Sequence, residues 1–87
     1  MNAIIVDDER PARTELARLL AGFPAVRLVG DAASAPEARD LIERLQPDLV
    51  FLDIEMPEQN GFDLLESLPP PHPHVIFTTA YNAYAVK

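Results

Sequence analysis

Three aspartates stand where two apolar runs end. Asp7 and Asp8 follow Ala3-Ile4-Ile5-Val6, and Asp53 follows Leu49-Val50-Phe51-Leu52. If these runs are neighbouring strands of an open parallel sheet, their exits meet in the crevice outside the strands' carboxyl ends, where such sheets bind ligands. Three ionised carboxylates in one small volume repel one another unless a cation shares them, and an oxygen-rich negative pocket suits Mg2+. A carboxylate can also accept a phosphoryl group as an acyl phosphate when metal and donors neutralise the transferring charge. Asp53 is placed to be that nucleophile. Asp7 and Asp8 would hold Mg2+ directly or through water, and the backbone carbonyl of Glu55, just past Asp53, is a further candidate ligand. The run Val75-Ile76-Phe77-Thr78-Thr79 ends in hydroxyls at the same edge. Thr79 could hydrogen-bond a phosphoryl oxygen, and the added charge and acceptors on Asp53 would then draw this strand end inward as a switch.

Each residue also has a plainer role. Asp7 and Asp8 suit the positive end of a helix dipole, an aspartate closing a strand is a common turn residue, and threonines form strands well. The joint arrangement favours chemistry over these separate roles.

The elements that must position the site alternate along the chain. Residues 3–6 read as a buried strand, and Pro11, Leu16, Leu19, Leu20 and Gly22 mark a helix with proline in its first turn and glycine past its end. A second strand is expected over 26–29. Ser34-Ala35-Pro36-Glu37 has capping-box spacing before Ala38, Leu41, Ile42 and Leu45, and Pro47 ends that helix. Residues 49–54 show no polar alternation before Asp53, as a strand covered on both faces would. Asn60-Gly61 could supply positive φ before a third helix carrying Phe62, Leu64, Leu65 and Leu68. The Pro69-Pro70-Pro71-His72-Pro73 segment reads as an extended connection with solvated histidines, followed by a fourth strand over 75–79 and the start of another helix over 81–87. Strands alternating with helices call for right-handed crossovers and a doubly wound parallel α/β sheet.

Composition narrows the function. At 87 residues the chain is one domain at most, burying roughly 60–65% of its unfolded surface. It has no cysteine, which removes disulfides and thiolate sites and, with no targeting segment, points to the cytoplasm. The apolar runs are too short to cross a bilayer. A formal charge of -7 with only seven Lys and Arg argues against this segment gripping nucleic acid, so DNA contact would come from another domain.

Together, Ile4-Ile5-Val6-Asp7-Asp8-Glu9, Leu49-Val50-Phe51-Leu52-Asp53-Ile54-Glu55-Met56-Pro57, Gly61 and Phe77-Thr78-Thr79-Ala80 resemble the receiver domain of bacterial two-component response regulators. The resemblance spans the chain and implies a flavodoxin-like fold with strand order 2-1-3-4. It also implies phosphate transfer to Asp53 from a sensor histidine kinase, Mg2+ at Asp7, Asp8, Asp53 and the Glu55 carbonyl, and Thr79 as the switch hydroxyl. Arg10-Pro11-Ala12-Arg13 and residues 77–87 are most similar to regulators whose output is a LytTR-type DNA-binding domain, which implies a role in transcription. A full receiver continues with the rest of a fourth helix, a fifth strand carrying a lysine and an aromatic switch residue, and a fifth helix. Residues 1–87 therefore read as a receiver incomplete at its C-terminal end, and Lys87 falls in the fourth helix rather than at the phosphate. Without strand five, strand four becomes an apolar edge, from which a homodimer or strand-exchanged oligomer is expected.

Two rivals remain in view. An aspartate-nucleophile phosphatase of the haloacid-dehalogenase type wants its nucleophile after the first strand and a second Asp two residues on, whereas Asp7 is followed by Asp8 and Glu9 and position 55 is Glu. A degenerate receiver would only mediate protein association, its carboxylates serving as solvated caps.

Overall fold

The run Leu49-Val50-Phe51-Leu52 is buried at every position and forms strand β3 (Leu49–Leu52), which lies between two other strands and under helices on both faces. The computed structural model describes residues 1–54, 56 and 60–78. Along them run β1 (Asn2–Val6), α1 (Arg10–Leu20), β2 (Arg27–Ala32), α2 (Ala35–Leu45), β3, α3 (Gly61–Ser67) and β4 (His74–Phe77). The strands form one sheet in the order β2-β1-β3-β4, and every pairing is parallel. The parallel α/β sheet is the one expected from the β-α alternation, and its order is the one the receiver resemblance implies.

Strand alternation sorts the core into two layers. Ile4, Val6, Val50 and Leu52 point to one face and pack with Ala38 and Ile42 of α2 and Leu64 of α3. Ala3, Ile5, Leu49 and Phe51 point to the other and meet Leu16, Ala17 and Leu20 of α1. The largest fully buried side chains include Ile4, Ile5, Val6, Val50 and Leu52, each contributing about 1.5–3 kcal/mol by burial. Stability is thus concentrated in β1 and β3, the two strands that carry the aspartates. The α1 face is thinner: α1 has no fully buried residue, and Leu19 is 52% exposed.

Local signals set most helix ends. Pro11 lies in the first turn of α1. Ser34 caps α2 through its hydroxyl, which accepts from the Glu37 N–H at 3.4 Å, and the helix stops at Gln46, in the left-handed region at φ 48, just before Pro47. Asn60-Gly61 behaves differently from expectation. Asn60 has φ -78, and its side chain caps α3 by accepting from the Asp63 N–H at 2.9 Å, so an Asn suited to a turn is used as a helix cap instead. No described glycine has positive φ.

Strand bounds also shifted. β2 covers 27–32 rather than 26–29, because β1 draws Gly30, Asp31 and Ala32 into register with Ile4, Ile5 and Val6 past an irregularity between Ala3 and Ile4. Pairing to a buried strand outweighs the weak strand preference of Gly and Asp. β3 ends at Leu52 rather than 54, since the Ile54 carbonyl turns to accept from Gly61 N–H at 2.9 Å and Met56 N–H at 3.2 Å. The proline run connects α3 to β4 outside any element, as expected, but His72 is not simply solvated: its Nε2 lies 2.8 Å from the Leu68 carbonyl oxygen. β4 is an edge of the described sheet, with Ile76 and Phe77 47% and 41% exposed. The helix expected over 81–87 lies outside the described residues.

Candidate functional site

The register of the two central strands builds the site. Val6 pairs with Leu52, so the next residues, Asp7 and Asp53, emerge side by side at the carboxyl ends of β1 and β3. The Asp53 N–H donates to the Val6 carbonyl at 2.9 Å, which extends the ladder one step and fixes the Asp53 backbone against β1. Asp7 and Asp53 are the buried charged residues of the described chain, 8% and 9% exposed.

Asp7, Asp8 and Asp53 each offer a carboxylate oxygen, and these oxygens lie within 4.8 Å of one another. At about 4 Å, a pair of ionised carboxylates repels by about 1 kcal/mol in bulk water and about 4 kcal/mol where screening is partial. A shared divalent cation reverses that balance. Mg2+ takes oxygen ligands at about 2.0–2.1 Å in an octahedron, so opposite ligands stand about 4 Å apart. The three aspartates fit that requirement with a small inward adjustment.

Asp7 is held at several points. Its N–H donates to the Ala32 carbonyl at 3.1 Å, its Oδ1 accepts from the Glu9 N–H at 2.9 Å, and its carbonyl accepts from Arg13 Nη1 at 2.8 Å. The Glu9 contact is an Asx-type turn just ahead of α1, a helix with no side-chain cap of its own. It is compatible with metal binding, because a carboxylate has a second oxygen. Sequence reasoning singled out Arg13 only as part of a subfamily resemblance and passed over Asp31, whose Oδ2 accepts from Arg13 Nε at 2.8 Å. The available signal was weak: an arginine one helical turn into α1 and an acid near the end of β2.

Gly61 faces the same backbone. A β-carbon there would lie 3.1 Å from the Asp53 carbonyl oxygen and 3.2 Å from Ile54 Cα, so this residue is small because the turn after Asp53 passes against it. The Thr78 N–H donates to the Leu52 carbonyl at 2.9 Å, which brings the end of β4 to the site's edge. Its hydroxyl oxygen is buried without a hydrogen-bond partner among the described residues, beside a shallow cavity lined by Asp7, Ala12, Glu15, Leu16 and Leu19. Glu55 and Thr79, the other residues expected at the site, lie outside the described residues. A larger cavity, bordered by Met1, Gln46, Asp48, His72 and His74, opens at the opposite end of the strands, away from the aspartates. No helix among the described residues is long and apolar enough to cross a membrane.

Comparison with known proteins agrees with this arrangement. The response regulator receiver domain family matches residues 3–87. Over its whole length the chain is similar to the sensory transduction protein LytT of Enterococcus faecalis, at 44% identity, and to the transcriptional regulatory protein BtsR of Salmonella typhi, at 42%. It spans 37% of the length of each of these relatives. Among solved structures, the response regulator domain of Thermotoga maritima CheB superimposes with a TM-score of 0.82 at 31% identity, covering 92% of this chain and 60% of that one. With the parallel β2-β1-β3-β4 order and the aspartates gathered at its carboxyl edge, the chain belongs to the response regulator receiver domain family.

Proposed function

We propose that this chain is a phosphoacceptor switch in which Asp53 receives a phosphoryl group from a sensor histidine kinase. The observation that carries this reading is the convergence of Asp7, Asp8 and Asp53 within 4.8 Å on the strand ends. An Asp53 carboxylate oxygen attacks phosphorus, the phosphorus–nitrogen bond to the kinase histidine breaks, and the imidazole leaves and takes up a proton. The product is an acyl phosphate on Asp53. Mg2+, held by Asp7, Asp8, Asp53 and the Glu55 backbone carbonyl, would supply charge neutralisation for the transferring group. Thr79 is assigned as the switch hydroxyl that meets the new phosphoryl oxygens. The role is signalling in the cytoplasm rather than substrate turnover, and the output is a DNA-binding domain of the LytTR type, a reading supported by the similarity to LytT and BtsR. The segment itself, at net charge -7, contributes no nucleic-acid contact.

Acetyl phosphate with Mg2+ tests this directly. Acylation measured by intact mass should appear in the protein and vanish in Asp53→Asn. Unmodified protein that nevertheless binds Mg2+ would move the chemistry to groups outside residues 1–87, and no metal binding at all would favour the second reading. That second reading, a module that only mediates association as a homodimer or strand-exchanged oligomer, is supported by the exposure of Ile76 and Phe77 on β4, at 47% and 41%. A single monomeric species across a wide concentration range in light scattering would count against it.

A further inference from the structure

The metal cluster is seated on a turn that something must hold still. The geometry points to Arg13 as a positioning residue for Mg2+, acting from α1 through the backbone of Asp7. Arg13 Nη1 donates to the Asp7 carbonyl oxygen at 2.8 Å, while its Nε donates to Asp31 Oδ2 at 2.8 Å. The Asp7 carbonyl and the Asp8 N–H belong to one rigid peptide plane. Fixing that carbonyl therefore fixes the plane from which the Asp8 side chain departs, while Glu9 N–H holds the Asp7 carboxylate from the other side. The arginine itself is well placed to be rigid, with its side chain 16% exposed, whereas Asp31 is 55% exposed. Burial gives the carbonyl contact more weight than the partly screened ion pair, and the ion pair orients the guanidinium. Groups that orient metal ligands in this way influence affinity without touching the ion. The inference rests on Mg2+ binding at Asp7, Asp8 and Asp53.

A positioning role and a purely electrostatic one have opposite signs. A cation near a Mg2+ site repels the ion, so if Arg13 acted only through its charge, removing it would tighten binding. If it acts by holding the Asp7 carbonyl, removing it weakens binding.

Mg2+ titrations followed by amide NMR, with thermal unfolding in EDTA alongside, decide between them for the wild type, Arg13→Ala, Arg13→Lys and Asp31→Ala. Arg13→Ala should raise the Mg2+ dissociation constant roughly 10-fold and displace the Asp8 and Glu9 amide signals in metal-free protein. Arg13→Lys should recover part of that loss, since an ammonium can reach one of the two acceptors. Asp31→Ala should weaken binding less than Arg13→Ala. Unchanged or tighter Mg2+ binding in Arg13→Ala overturns the inference while leaving the metal site intact. Wild-type protein that binds no Mg2+ overturns the site and the inference together. If Arg13→Ala does not fold, the charge-conserving Arg13→Lys decides the matter: weakened Mg2+ binding supports the inference, and wild-type affinity overturns it.

Discussion

Gly61 lies so close to Asp53 that a β-carbon at position 61 would sit 3.1 Å from the Asp53 carbonyl oxygen. The glycine opens α3 and also donates its N–H to the Ile54 carbonyl at 2.9 Å, so helix, turn and candidate acceptor share one contact. Gly61→Ala gains helix propensity of up to about 1 kcal/mol but presses on backbone atoms that cannot rotate away. The clash is expected to win, lowering stability by about 1–3 kcal/mol and weakening Mg2+ binding. Chemical unfolding and a metal titration measure both, and an unchanged midpoint would show that the turn after Asp53 yields freely.

Mg2+ should stabilise the fold by mass action. At a concentration 100 times the dissociation constant the gain is about 2.7 kcal/mol. In Asp8→Asn, which removes a candidate ligand's charge at the exposed side of the cluster, the gain should shrink strongly, while metal-free stability should rise because the repulsion among the three carboxylates is relieved. Calorimetric scans with Mg2+ and with EDTA compare the two. Equal Mg2+-induced shifts in both proteins would remove Asp8 from the site.

The two side-chain caps differ in geometry and should differ in energy. Asn60 accepts from Asp63 N–H at 2.9 Å, whereas Ser34 accepts from Glu37 N–H at 3.4 Å. Asn60→Ala is expected to cost about 1 kcal/mol and Ser34→Ala about 0.5 kcal/mol. Urea midpoints with a common slope give the order, and the reverse order would mean that packing rather than capping governs these helix starts.

The Thr78 hydroxyl oxygen is buried with no hydrogen-bond partner among the described residues. Leaving such a group unsatisfied costs free energy that an apolar replacement of the same shape does not. Thr78→Val should therefore be neutral or stabilising by up to about 1 kcal/mol, as read from thermal unfolding. Clear destabilisation would reveal that the hydroxyl has a partner in the working protein.

Much of the fold was already legible along the chain. The unbroken run at 49–52 could only be a strand covered on both sides, and the β-α alternation required parallel crossovers. Pro11, Ser34 and Pro47 marked helix ends because their backbone and side-chain chemistry acts over a few residues. The acidic pair at 7 and 8 and the single acid at 53 were identifiable because each closes an apolar run. Where local preference competed with pairing, the sequence reading slipped: β2 moved into Gly30-Asp31-Ala32, β3 stopped at Leu52, and Asn60 became a cap.

What the sequence determined by itself was the set of strands, their burial and the residue types at their ends, since these follow from apolar periodicity and turn chemistry within short windows. Only the tertiary structure decided that Val6 sits opposite Leu52, which turns two separate strand ends into one cluster of oxygens. It alone placed the Arg13 guanidinium between the Asp7 carbonyl and Asp31, and Gly61 against Asp53. These contacts join residues on different elements, and they depend on register and helix docking, which no local pattern of side chains encodes.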